Sequence, residues 1–266
     1  MIFVEILYRM KIKIPTSWEE MTDYQQRELI HLINKVDSED FFEDFVKIVQ
    51  IMLMKKRNIW QYLHMRKILR QVPISIFQKP LEFILEKPKL YIFPKIKGLS
   101  EPAPRIGDLT AEQFSICDTL LYRYSDKEQA DKREIHLRQL VASLYKLPNE
   151  EFDKQKLPTI AKITDKISLK EAERIAFIFS SVRMYIADSY PSIFQPKKDE
   201  IEDEIKPVFK TKKKYTPFSQ IIVMMAADEL RLLGTLKECQ KTPVYDFFNA
   251  FLESKKIHKI KADATK

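Results

Sequence analysis

The chain has 266 residues, of which 45% are apolar and 32% charged, and its formal net charge is +8. This is a globular composition, long enough for one large domain or two smaller ones. Only three glycines and two cysteines occur, which excludes folds built on tight glycine turns and phosphate loops, such as a doubly wound nucleotide-binding sheet, and also excludes a disulfide scaffold.

The N-terminal segment 10–71 reads as a helical half that begins with a short strand. Lys11–Ile14 alternates basic and apolar residues, as a half-exposed strand does, and Pro15 ends it. Ser17 with Glu20, and Thr22 with Gln25, have the spacing of helix N-cap pairs. Met1 and Met10 are both candidate starts of translation. If translation begins at Met10, the preceding residues are an extension or a dispensable strand.

Two further helices are predicted in this half. Ser38 is placed to cap the first, whose apolar residues from Phe41 to Leu53 recur at intervals of three and four. The second runs from about Asn58 to Arg70.

The segment 72–104 contains six prolines, which interrupt any long helix. Its sequences VPISIF and LYIFPKI are typical of short strands, and PLEFILEK of a brief helix between them. We therefore expect a small proline-rich β element here, joined by the Lys11–Ile14 strand.

A second helical half, 105–195, begins at Leu109 with a Thr110–Gln113 cap pair and ends after a helix capped by Ser168. Aligning residues 21–33 with residues 109–121 gives three identities, which raises the alternative of an internal duplication.

The rest of the chain divides into three predicted segments. Residues 196–216 form a charged linker, 217–254 form the C-terminal helices, and 255–266 form a basic tail. The predicted fold class is therefore mostly α, with two helical halves and a small proline-rich β element between them.

The segment 55–71 is the main candidate for a binding site. It holds six Lys or Arg residues and no acid, interleaved with aromatic residues. Basic residues bind phosphates and aromatic rings stack on bases, so the pattern is typical of single-strand binding. The candidate patch, for nucleic acid or an acidic partner, comprises Lys55, Lys56, Arg57, Trp60, Arg66, Lys67 and Arg70.

The interpretation that the pattern favours is an ordinary amphipathic helix, because basic helices are common on protein surfaces. In that interpretation Ile59, Tyr62, Leu63 and Leu69 form a core stripe and the basic groups are solvated.

Adjacent aromatic pairs suggest a second kind of surface. Phe41 with Phe42, and Phe247 with Phe248, widen the apolar arc of their helices. A helix that is apolar over more than one face often contacts another chain, so these residues are predicted partner-binding aromatics, with a larger core as the alternative.

No pattern for catalysis, cofactor or metal binding is found. The four histidines and the cysteines Cys117 and Cys239 lack metal-ligand spacing, and the acidic run 199–204 is interpreted as a solvated linker. We therefore predict a protein without enzymatic activity, cofactor or metal.

The opening sequence IKIPTSWEEMTDYQ resembles small proteins from the structural-gene blocks of tailed bacteriophages of Bacteroidota, which include tail assembly chaperones and minor virion proteins. The similar elements are the strand Lys11–Ile14, Pro15, Trp18, Glu19 with Glu20, Thr22, Tyr24 and Gln25, and a second start at Leu109–Phe114.

The resemblance implies a non-enzymatic role in phage morphogenesis, through helical protein–protein contacts. The partners expected from it are phage structural proteins, in the host cytoplasm or the virion. A basic nucleic-acid-binding accessory protein is the alternative. Self-association is an open alternative, and no membrane partner is expected.

Overall fold

The computed structural model describes residues 2–5, 11–35, 41–194 and 215–264. Two strands open the chain, β1 (Ile2–Glu5) and β2 (Lys11–Ile14). The α-helices are α1 (Asp23–Lys35), α2 (Phe41–Leu53), α3 (Ile59–Gln71), α4 (Ala111–Ser125), α5 (Arg133–Leu144), α6 (Leu157–Thr164), α7 (Leu169–Ser189), α8 (Pro191–Phe194), α9 (Phe218–Ala227), α10 (Leu236–Lys241) and α11 (Val244–Ala264). The predicted fold class, mostly α, is confirmed.

The chain forms two compact units, residues 1–90 with 167–181 and residues 91–166 with 182–266. In the first unit, α2 packs against α1, α3 and β2. Its core includes Trp18, Leu29, Ile30, Val49, Met52, Met65, Ile68, Phe77, Leu81, Ile175 and Phe179.

In the second unit, α4 packs against α5, α9, α10 and α11, and α5 packs against α6. Edge-to-face contacts join five phenylalanines at the centre of this unit, with ring centroids from 5.0 to 6.5 Å apart. They are Phe114, Phe194, Phe218, Phe247 and Phe248.

The cap pairs explain where several helices begin. The hydroxyl of Thr22 accepts a hydrogen bond from Gln25 N, and the hydroxyl of Thr110 accepts one from Gln113 N. Ser168 caps α7 in the same way, through Glu171 N. The pairing of Ser17 with Glu20 was wrong, because the Glu20 carboxylate accepts hydrogen bonds from Thr16 instead.

The prediction of a β element in the proline-rich segment 72–104 was wrong. Ile74–Phe77 and Lys79–Leu85 form 3₁₀ helices, and residues 91–96 are irregular. Closely spaced prolines lack N–H donors, so local i→i+3 turns replace a sheet ladder here. The strand Lys11–Ile14 does form, but it pairs antiparallel with Ile2–Glu5.

Two segments predicted to follow helices, the charged linker and the basic tail, differ in what the structure describes of them. Of the charged linker 196–216, all but the last two residues lie outside the described residues, as does the predicted cap Ser38. The basic tail predicted for 255–266 continues α11 as far as Ala264. Its lysines are helix-compatible, so their charge alone was a poor sign of a helix end.

Candidate functional site

Helix α3 is fixed at its start and on one face. The side chain of Asn58 caps it by accepting a hydrogen bond from Gln61 N at 2.8 Å. Met65 and Ile68, three residues apart, are both 2% exposed and attach the helix to the core. The rest of its circumference is thereby directed away from the core.

The exposed face of α3 carries large apolar side chains. Trp60 is 77% exposed, Ile59 62% and Leu63 51%. The interpretation that placed Ile59, Tyr62 and Leu63 in a core stripe was therefore wrong. The three residues do fall on one side of the helix, but Met65 and Ile68 define a different side, and that side meets the core.

The basic turn before α3 is held by hydrogen bonds to its backbone. The N–H groups of Lys55 and Lys56 donate to Gln61 Oε1 at 2.7 and 2.9 Å, and Lys55 O accepts from the hydroxyl of Thr22 at 2.9 Å. The side chains of Lys55, Lys56 and Arg57 are exposed. The three charges therefore project from an ordered turn.

All seven predicted patch residues lie on this turn and helix, and all are exposed. We call them the α3 surface: Lys55, Lys56, Arg57, Trp60, Arg66, Lys67 and Arg70. Within the described residues, none of its six cations lies within ion-pairing distance of a carboxylate. The surface thus offers uncompensated positive charge around an exposed indole.

A cleft of about 340 Å³ runs along one edge of α3. Gln50, Tyr62, Met65, Arg66, Leu69 and Arg70 line it. The Arg66 guanidinium lies 5.8 Å from the centroid of the Tyr62 ring, within the range of a cation–π contact. Both arginines are exposed, and no acidic side chain lines the cleft.

The predicted partner-binding aromatics divide into two groups. Phe42 is 64% exposed on α2, whereas the side chain of Phe41 lies outside the described residues. Phe247 and Phe248 are fully buried in the phenylalanine cluster of the second unit. These two residues are therefore core, because their apolar arc is covered by α4 and α9 rather than by another chain.

The second unit contains a larger groove that sequence patterns did not indicate. Its volume is about 890 Å³, and residues of α4, α5 and α6 line it, among them Ile116, Arg123, Ile135, Arg138, Leu157 and Pro158. Ile135 is 55% exposed in it. The sequence around Ile135 does not predict a groove, because the groove forms only when three helices pack together.

A polar cluster centres on the buried Asp118 of α4. The carboxylate of Asp118 is bonded by Arg183 Nε and by the hydroxyl of Tyr215, the latter at 2.8 Å. Burial, and then the charge of Asp118, raise the pKa of Tyr215. Each group has a partner, so the cluster links α4 to Arg183 of α7 and to Tyr215, which precedes α9.

The described residues contain no group of three or more His, Cys, Asp or Glu side chains arranged to hold a metal ion. Among the described helices, none combines the length and apolar character that crossing a membrane requires.

Comparisons with protein families, with curated proteins and with solved structures found no match to this chain.

Proposed function

We propose that this protein binds single-stranded nucleic acid through the α3 surface, without catalysing a reaction. The observation that carries the proposal is Trp60, which is 77% exposed among six cations and no acid. An exposed indole in water has an unfavourable hydration cost that stacking on a base would remove, and such stacking contributes about 1–3 kcal/mol per base.

The cations supply the second part of the interaction. Lys55, Lys56 and Arg57 lie in the turn before α3, and Arg66, Lys67 and Arg70 lie in its second half. At the roughly 1.5 Å rise per residue of a helix, the nine steps from Arg57 to Arg66 span about 13 Å, so the two groups contact different phosphates of one strand. Trp60 lies between them in sequence, so phosphates and a base can be contacted together.

Fluorescence anisotropy with a labelled single strand tests this proposal. A strand of about twelve nucleotides matches the site sizes of such proteins. Binding is expected at low salt and should weaken steeply between about 50 and 200 mM salt, because bound cations displace counterions. The variant Lys55→Glu/Lys56→Glu/Arg57→Glu should abolish it.

The matched control reverses three exposed lysines elsewhere, in Lys79→Glu/Lys89→Glu/Lys97→Glu. This change alters net charge equally and should weaken binding only slightly. Equal losses in the two variants would show a non-specific effect of net charge and contradict the proposal. Salt-insensitive capture of an acidic protein by the α3 surface, with no binding of the strand, would also contradict it.

A role in phage morphogenesis is a second proposal, implied by the resemblance of residues 11–25. The observation that favours contact with a protein is the groove between α4, α5 and α6, where Ile135 is 55% exposed. In this proposal a helix of a phage structural protein occupies the groove. A tape-measure or tail-tube gene beside this one would support it.

Co-purification gives the direct test of that second proposal. A tail protein should be retained at high salt by the unmodified chain and lost from Ile135→Glu, because a buried carboxylate in an apolar contact is costly. Leu85→Glu, at an exposed apolar residue of the first unit, should leave retention unchanged. Equal retention by the unmodified chain and Ile135→Glu would contradict the proposal.

A further inference from the structure

Two arginines of α3 line the cleft beside this helix. Arg66 and Arg70 are four residues apart, so they lie on the same side of the helix one turn apart. Both line the cleft of about 340 Å³, and neither has a carboxylate within ion-pairing distance among the described residues. Like charges four residues apart on a helix repel each other, and an anion bound between them would remove this repulsion.

The remaining lining residues narrow the chemistry of that anion. Tyr62 offers an aromatic ring, Met65 and Leu69 offer apolar contacts, and Gln50 on α2 offers an amide that can donate or accept. Guanidinium groups bind phosphate through paired N–H donors. A phosphate next to a flat, weakly polar group therefore fits the cleft.

We propose that this cleft binds the terminal phosphate of the nucleic-acid strand, together with its attached nucleoside. A terminal phosphomonoester carries about −1.5 to −2 charges at neutral pH, whereas each internal phosphodiester carries about one. Two uncompensated guanidiniums match the monoester better. The phosphate lies between Arg66 and Arg70, and the nucleoside packs against Tyr62.

The inference rests on the proposed function and adds an end preference to it. Trp60 and the Lys55–Arg57 turn bind the strand regardless of its end, whereas the cleft discriminates between a phosphorylated and a hydroxyl end. The end bound could be the 5′ or the 3′ end, because the chemistry of the phosphate is the same.

The experiment compares strands of one sequence that differ only at an end: 5′-phosphate, 3′-phosphate and hydroxyl at both ends. One of the two phosphorylated strands is expected to bind about tenfold more tightly than the hydroxyl strand, as one added charge-assisted contact would give. The variant Arg66→Gln/Arg70→Gln should remove this difference. Because it also removes two of the six cations of the α3 surface, it should bind all three strands equally but more weakly than the unmodified chain binds the hydroxyl strand.

The control Lys79→Gln/Lys89→Gln removes the same charge from exposed positions outside the cleft and should keep the end preference. Equal binding of all three strands by the unmodified chain would overturn the end preference and leave the proposed function intact. An end preference that survives in Arg66→Gln/Arg70→Gln would also overturn the assignment to the cleft. If no strand binds, the proposed function falls, and this inference falls with it.

Discussion

The side-chain amide of Gln113 donates a hydrogen bond to the main-chain carbonyl of Ser143, 2.8 Å away and thirty residues later. It also reaches Leu144 O at 3.3 Å, and these are the last residues of α5. In the first unit, Gln25 Nε2 donates to Met52 O at 2.8 Å, near the end of α2. In each unit, therefore, a glutamine in the first turn of one helix caps the end of the next helix.

This relationship predicts that Gln113 is important for stability. Gln113 is fully buried, so Gln113→Ala leaves terminal carbonyls of α5 without a donor and out of reach of water. The expected loss is about 1–3 kcal/mol of unfolding free energy. Urea unfolding followed by circular dichroism measures it.

The exposed Gln139 on α5 provides the control for that change. Gln139→Ala removes an amide of the same size from the same helix pair and should alter the unfolding free energy by less than about 0.5 kcal/mol. Equal effects of the two substitutions would mean that the Gln113 amide does not stabilise the end of α5.

These two glutamines also show what sequence could and could not predict. The Thr22–Gln25 and Thr110–Gln113 cap pairs are local, and their spacing predicted both helix starts correctly. The carbonyls that the glutamine amides reach were not predictable, because they come close only when helices far apart in sequence pack. The internal duplication that the three identities raised stays a prediction.

The exposed face of α3 shows the same limit. The composition of residues 55–71 predicted the α3 surface, and all seven residues are exposed together. The core stripe predicted for Ile59, Tyr62 and Leu63 was wrong, because two sides of α3 carry apolar residues. Which of the two sides is buried depends on packing against α2, which the sequence of α3 alone does not show. The cleft with Gln50 was not predictable for the same reason.

The pairing of β1 with β2 predicts that residues 2–5 stabilise the first unit. Lys11–Ile14 pairs with no other strand in the described structure, and Ile12 and Ile14 are buried. A chain beginning at Met10 should lose about 1–3 kcal/mol, because several ladder hydrogen bonds are removed. Urea unfolding compares it with the full chain.

A segment swap controls for the chemistry of the removed residues. Replacing residues 2–5 by Val-Thr-Val-Thr keeps a strand whose apolar residues pair with the buried Ile14 and Ile12, and should retain most of the stability. If the chain beginning at Met10 is as stable as the full chain, β1 is dispensable, as the sequence had suggested.

The hydrogen bonds of Asp228 predict that the folded protein loses stability in acid. Hydrogen bonds from Ser254, Leu230 N and His258 lower its pKa from an ordinary 3.8 to about 2. Since the folded pKa lies below the unfolded one, the ionised carboxylate stabilises the fold above pH 3.8, and this contribution is lost as the pH falls towards 2. Asp228→Asn should therefore be less stable at pH 7.

The difference between Asp228→Asn and the unmodified chain should shrink as the pH falls from 3.8 to about 2. Urea midpoints across that range measure it, with the exposed Asp131→Asn as the control that should show no such trend. A difference that stays constant with pH would assign the effect to packing and not to the charge of Asp228.

The burial of Cys117 and Cys239 predicts that their thiols react slowly with thiol reagents in the folded protein. Burial raises the pKa of the Cys117 thiol well above its usual value, and it also raises the pKa of Cys239. The thiolate is the reactive form, so neither residue should react with a thiol reagent until the chain is unfolded in concentrated urea. Rapid reaction of either thiol under native conditions would contradict the burial of these residues.

Trp60 fluorescence gives a direct measure of strand binding through the α3 surface. The chain has two tryptophans, and Trp18 is buried against Phe83 and Phe177 whereas Trp60 is 77% exposed. Stacking on a base should quench Trp60 as a single-stranded oligonucleotide is added, and Trp60→Leu, which retains Trp18, should show no quenching. Unchanged emission of the full chain at saturating oligonucleotide, or equal quenching in Trp60→Leu, would contradict binding through the α3 surface.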